Sequence, residues 1–186
     1  MKLTTWEARL TLPVSPGRDH IRGPLDAPVT LLEYGDYECP YCGLAHPIVR
    51  AVQQEMGNTL RFVFRHFPLT TVHPYAELAA EAAEAAGAQR KFWAMHDLLY
   101  ENQQLLDPPH LLAHAGALGL DLKRFATDLG QHVHAPKIRE DFLSGVRSGV
   151  NGTPSFFIND VRHDGPWDFA NLLAAVQQAA SSRVTA

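Results

Sequence analysis

The 186-residue sequence predicts an α/β fold in which an all-α insertion separates two parts of one sheet. Three observations carry this. Residues 29–34 and 60–66 are short apolar runs with the length of buried strands, and an amphipathic stretch lies between them. From residue 74 to about 148 the apolar spacing is helical throughout. A further apolar run then returns at 155–158, followed by a turn, a short strand and a closing helix. The order β-α-β, several helices, β-β-α makes 1–69 and 150–186 one core and 70–149 the insertion.

Each element has its own signal. Residues 8–14 read as an edge strand ending at Pro13, and 15–28, with three prolines and two glycines, as a loop. Gly35 and Asp36 break the first core strand. Leu44, Ile48, Val49 and Val52 then recur at helical spacing up to Gly57 and are expected to face inward. The second core strand stops at Phe67-Pro68. Residues 74–86 are rich in Ala and Glu, with Glu77, Glu81 and Glu84 expected on a solvated face and Gly87 as the stop. Phe92, Met95, His96 and Leu99 mark the next helix, over 89–100. Asp107 caps a short helix with Pro108 in its first turn and Gly119 at its end. Asp121 caps another, with Leu122, Phe125 and Leu129 inward. Residues 135–148 close the insertion, with Ile138, Phe142 and Val146 on the core face. Asn159-Asp160 fits a two-residue hairpin turn before Val161-Arg162-His163. The final helix, 168–180, carries Phe169, Leu172, Leu173 and Val176 on one face.

Composition removes several classes of function. Hydrophobic residues make up 46% of the chain, enough for a core without disulfide staples. A net charge of -4 and a sequence pI of about 6.2, with scattered charges, give no footprint for nucleic acid or an anionic membrane. Glu7 and Arg9 interrupt any apolar leader, and no run of about twenty apolar residues could span a bilayer. A cytoplasmic location is therefore expected, the other possibility being a chain whose leader has been removed. The ten histidines show neither an HExxH pair nor Cys/His ligand spacing, so no metal site is expected.

The chemistry concentrates in Cys39-Pro40-Tyr41-Cys42, which holds the only two cysteines. Two are too few for a four-cysteine zinc site, and no third is left for a structural bridge. The pair falls where a strand hands over to a helix, the context of a thioredoxin-like redox motif. Pro40 suits the first helical turn, where its missing N–H costs nothing. The positive end of the helix favours a thiolate, which makes Cys39 the low-pKa, attacking sulfur. Cys42, one turn further in, is the more buried, resolving thiol. Pro40 and Tyr41 lie on the substrate side, with Tyr41 exposed. Glu38 should oppose the thiolate by its charge. His66 and His73 read as packing or capping residues, and Trp93 and Trp167 as packing aromatics.

Three segments, in order, resemble those of DsbA-type thiol-disulfide oxidoreductases. They are Gly35-Asp36-Tyr37-Glu38-Cys39-Pro40-Tyr41-Cys42, Phe64-Arg65-His66-Phe67-Pro68-Leu69 and Gly152-Thr153-Pro154-Ser155-Phe156-Phe157. The resemblance implies a thioredoxin-like fold with an inserted all-α domain. It implies a cis Pro154, preceded by Thr153, facing the dithiol. It also places a buried acid, Glu33, beneath Cys42 to take its proton; the alternative for Glu33 is a partly solvated strand residue paired with Arg or Lys. The expected activity is disulfide exchange with protein or small thiol substrates, renewed by an unidentified redox partner. The Cys39–Cys42 disulfide is itself the redox group, so no dissociable cofactor is required. The alternatives are a glutathione-linked, glutaredoxin-like reductase, since Pro-Tyr also separates the cysteines of glutaredoxins, a Cu(I)-binding dithiol module, and a non-catalytic partner-binding domain.

Overall fold

The computed structural model describes residues 8–184; Glu7, whose charge argues against a leader, lies outside them. In chain order the elements are β1 (His20–Arg22), β2 (Val29–Gly35), α1 (Pro40–Met56), β3 (Leu60–His66), α2 (Ala76–Gly87), α3 (Phe92–Glu101), α4 (Pro108–Ala117), α5 (Leu122–Gly130), α6 (Ala135–Arg147), β4 (Ser155–Ile158), β5 (Val161–His163) and α7 (Phe169–Val184). The strands form one mixed sheet in the order β1-β3-β2-β4-β5. β2 pairs in parallel with β3, Val29 opposite Leu60, and antiparallel with β4, Leu31 opposite Ile158. A parallel β2–β3 pair needs a crossover, which α1 supplies. The fold is thioredoxin-like, with the helical insertion of DsbA-like proteins. Among the described residues no helix is long and apolar enough to cross a membrane.

Being buried on both faces, β2 is an apolar run with no alternation, interrupted at Thr30 and Glu33. One face, with Val29, Leu31, Phe62, Phe64 and Phe156, packs on Val49 and Val52 of α1 and on Leu172 and Val176 of α7. The same buried cluster continues without a break into α2 and α3 of the insertion, through Ala79, Ala83, Met95 and Leu99. On the other face Leu32, Tyr34, Val63 and Phe157 pack with Phe67 and Val150, covered by Phe142 of α6.

Several expectations need correction. The edge strand is not 8–14, where Arg9 alone forms an isolated bridge to Val161. It is β1, inside the stretch read as loop, pairing His20 with Phe64. Three residues between prolines and glycines are too few to show a period of two. β1 ends at Gly23, whose φ of 103° and contact with the Leu60 carbonyl leave no room for a side chain. Leu44, Leu122, Val146 and Phe169, expected inward, are exposed, Leu44 by 62%. Helical spacing finds the apolar stripe but not where the neighbouring element stops covering it. Glu81 and Glu84, expected in solvent, are buried. The alanines of α2 let other helices approach closely, and histidines from outside α2 meet both carboxylates. Glu81 bonds His132 (2.9 Å), and Glu84 bonds His20 (3.0 Å) and His66 (2.9 Å). The Asn159-Asp160 turn is present, with φ of 48° and 70°.

Candidate redox site

Cys39 is the N-cap of α1, with extended backbone (φ -71°, ψ 120°), and Pro40 occupies the first turn. Its sulfur therefore stands at the open end of the helix, where the first N–H groups have no helical partner. Cys42 follows one turn into the helix. Both sulfurs are free thiols and both are buried, Cys39 at 3% exposure and Cys42 at 0%. Tyr41 between them is 62% exposed.

The two thiols differ in acidity. The Cys39 thiol is pulled down to about 5, first by a hydrogen bond from Cys42 and then, against the cost of burial, by Thr153 and the Cys42 and Tyr41 amides. Burial pushes Cys42 far the other way, and the hydrogen bond it gives to Cys39 and the charge on Glu33 add to the effect. As a thiol, Cys39 donates to the Thr153 carbonyl at 3.5 Å. The Thr153 hydroxyl has no partner, which leaves it free to donate to the thiolate. The Thr153–Pro154 peptide bond is cis.

Glu33 lies on the β2 face turned toward α1, with Leu31 and Gly35. It is 2% exposed, and its Oε1 has no hydrogen-bond partner. Burial, and then the Cys39 charge, push its carboxyl up to about 8. No Arg or Lys reaches it among the described hydrogen bonds and ion pairs, so the solvated, paired alternative does not hold.

The loop between β2 and α1 is anchored on two sides. Asp36, which is buried, accepts from the Glu38 amide, the Leu69 amide and His73 Nδ1, each at 2.8 Å. The Tyr37 hydroxyl is hydrogen-bonded to His96 Nδ1 at 3.0 Å. Gln103, just after α3, donates to the Tyr37 and Cys39 carbonyls, both at 2.8 Å. It lies in space that Gly43 leaves open. Glu38 accepts from the Tyr75 amide at 2.6 Å. Asp36 and Gln103 carry no sequence signal as supports, because a turn aspartate and a loop glutamine form no pattern. His73 and His66 are bonded polar partners, of Asp36 and Glu84. Trp93 and Trp167 pack against the core.

Two clusters bring metal-ligand side chains within 4.8 Å of one another: His46, His96 and Asp97, and His66, Glu84 and Asp141. In the first, Asp97 is paired with Arg22 (2.8 Å) and His96 with Tyr37. In the second, Lys137 (2.7 Å) and Arg18 hold Asp141, while His20 and His66 hold Glu84. Fixed cations beside both clusters repel a metal ion. Cys39 and Cys42 remain the only thiol donors.

The fold and the strand-to-helix dithiol define a class, the thioredoxin-fold proteins with an inserted helical unit. Residues 15–178 match the family model described as Thioredoxin, and the chain belongs to that family. Among solved structures, the chain is similar to oxidised BdbD from Bacillus subtilis, with a TM-score of 0.83, 22% identity and coverage of 94% of this chain and 97% of that one. It is similar to alpha-DsbA1 of Wolbachia pipientis (TM-score 0.81, 21% identity, 95% and 96% coverage). A thioredoxin-like oxidoreductase from Silicibacter pomeroyi DSS-3 shares 29% identity (TM-score 0.76, 90% and 94% coverage). The curated relatives are longer. Na(+)/H(+) antiporter NhaA 1 of Salinispora arenicola is 54% identical over 91% of this chain, and its namesake in Mycobacterium sp. (strain KMS) is 45% identical over 90%. The chain spans 26% and 28% of their lengths.

Proposed function

We propose that the protein is a thiol-disulfide oxidoreductase that exchanges disulfides with protein substrates through Cys39 and Cys42. The observation that carries this is the unequal pair of sulfurs, one acidic and at a helix start, the other buried above an unpaired carboxyl. In the reducing direction the Cys39 thiolate attacks a substrate disulfide. A mixed disulfide forms and one substrate sulfur leaves as thiolate. With Cys39 uncharged in the mixed disulfide, one cause of the raised Glu33 pKa is gone; the ionised fraction of Glu33 takes the Cys42 proton, and Cys42 attacks Cys39, closing the Cys39–Cys42 disulfide and releasing the second substrate sulfur. The oxidising direction reverses these steps. A substrate thiolate opens the enzyme disulfide at Cys39, and Cys42 leaves and takes the proton from Glu33.

The depressed Cys39 pKa stabilises the reduced form, so the oxidised protein is expected to be the stronger reagent of the two, an oxidant. The disulfide is the whole redox group in this reading, with no dissociable cofactor. Pro40, Tyr41 and Thr153 line the approach to Cys39, and the protein works in the cytoplasm. The longer relatives supply a setting: a domain like this one forms part of proteins named as sodium/proton antiporters. By extension, a membrane antiporter is the partner whose thiols this dithiol serves.

Equilibration with reduced and oxidised glutathione, followed by insulin reduction, tests the core reading. A Cys39–Cys42 couple that turns over protein disulfides supports it. A dithiol that binds Cu(I) tightly and exchanges with neither insulin nor glutathione would replace it with the metal-handling alternative. Turnover that requires glutathione would favour the glutaredoxin-like one.

A further inference from the structure

Each turnover of the proposed dithiol chemistry moves a proton on or off Glu33, and Glu33 is sealed from solvent. We infer that the Tyr100 hydroxyl relays this proton between Glu33 and a surface cavity beside α1. The inference rests on the oxidoreductase reading and extends it to a residue outside the motif.

The placement comes from β2. Glu33 and Gly35 are two residues apart in a strand, so they share a face about 7 Å apart. Gly35 has no side chain, and the Tyr100 hydroxyl lies 2.7 Å from where its Cβ would stand. The hydroxyl therefore shares, with the Phe64 ring edge 2.5 Å from that point, the position next to Glu33 on the face that meets α1. It is buried and has no hydrogen-bond partner, like Glu33 Oε1. On its other side, the Tyr100 ring lies 5.1 Å from the His46 ring. Tyr100 and His46, together with Gly43, Pro47 and Glu101, line a surface cavity of about 440 Å³. His46 Nε2 is a third buried polar atom without a hydrogen bond, with Asp97 Oδ1 3.8 Å away.

Buried polar atoms are nearly always paired. Here three unpaired ones succeed one another from the carboxyl to the cavity, a course that one or two bridging waters would complete. Burial holds the Tyr100 phenol well above its ordinary range, with the Cys42 and Glu33 charges adding to it. The phenol thus stays neutral and relays without ionising. Its oxygen accepts the proton from Glu33 while its own proton passes to water at the cavity. Burial first, then the Arg50 and Arg22 charges against that of Asp97, keep the His46 imidazole at about 4, so it is a neutral acceptor at the mouth. The other titratable groups facing Tyr100 are Cys42 from α1, Asp36 and Tyr37 from the preceding loop, and His96 from α3. The Arg50–Glu101 pair, 3.2 Å apart, lies at the exposed rim.

Tyr100→Phe keeps the ring and removes the relay. Stopped-flow measurement of the Cys42 attack on a mixed disulfide preformed at Cys39, as a function of pH, reads the step. The expected result is a loss of about tenfold, with the pH profile of Cys39 alkylation unchanged and the fold at least as stable. Glu33→Gln combined with Tyr100→Phe should be no slower than Glu33→Gln alone, because both lie on one path. An unchanged rate in Tyr100→Phe, or losses that add in the double variant, would overturn the relay. A wild-type protein with no Cys42-dependent step would overturn the oxidoreductase reading itself, a separate and recognisable failure.

Discussion

Glu33 and Tyr34 are neighbours in one strand, and the sheet puts them in opposite chemical worlds. On the Tyr34 face the buried hydroxyl and charges of Tyr34, Arg65 and Asp19 find partners. Its hydroxyl meets Ser144 at 2.8 Å and accepts from Arg65 at 3.1 Å. Arg65, fully buried, spends its remaining donors on both oxygens of Asp19 (2.9 and 3.0 Å) and on the Leu12 and Pro13 carbonyls. Burial alone would raise the Asp19 pKa, but the Arg65 hydrogen bonds and charge, the Ser15 amide and the Arg18 charge together outweigh it and hold the carboxylate down. On the Glu33 face Glu33 Oε1, the Tyr100 hydroxyl and His46 Nε2 make no hydrogen bond. A buried charge with all its partners is structure. A buried acid with none is held at a cost that a fold would not keep for stability, and its value lies in the proton it can move.

The contrast can be broken at several points. The largest effect is expected at the sulfurs. Cys39→Ser should abolish exchange, while Cys42→Ser should accumulate stable mixed disulfides on Cys39, both read by mass spectrometry after incubation with a disulfide substrate. On the opposite face, Arg65→Met takes the bidentate partner from the buried Asp19 carboxylate and leaves it only Arg18 and the Ser15 amide. It should cost about 3–5 kcal/mol in urea unfolding, while exchange by the folded fraction is unchanged. Glu33→Gln should do the reverse. The folded protein keeps the Glu33 proton up to about pH 8, whereas the unfolded chain releases it near 4.5. Wild-type stability therefore falls as pH rises through that window, and the variant should be a few kcal/mol more stable above it and equal below it. The same variant should slow the Cys42 step by about a hundredfold. Smallest of all, Leu44→Ser on the exposed rim should shift stability by no more than about 0.5 kcal/mol. Equal losses of stability in Glu33→Gln and Arg65→Met would erase the distinction between the faces.

Local grammar made much of this readable beforehand. The dithiol needed no more than two cysteines, a proline and a strand-to-helix change of period. Asp107 and Asp121 accept from the His110 and Arg124 amides as N-caps should. What stayed hidden depends on residues distant in the chain. No pattern announces that His20, 64 residues before Glu84, will hydrogen-bond it, or that Tyr100 will reach the gap left by Gly35. Gln103 reads as an ordinary loop amide until α3 brings it beneath the Cys39 carbonyl. The sequence leaves Glu33 between two environments because a central strand buried on both faces shows no alternation from which to tell them apart.

The central claim is the inequality of the two thiols, and a thiolate titration of the reduced protein tests it most directly. Ultraviolet absorbance follows ionisation with pH, and alkylation with mass analysis assigns it to a residue. The account requires one ionisation near pH 5, on Cys39, with Cys42 unreactive throughout the neutral range. Two thiols ionising together near the ordinary cysteine value of about 8.5, or a first ionisation on Cys42, would contradict it.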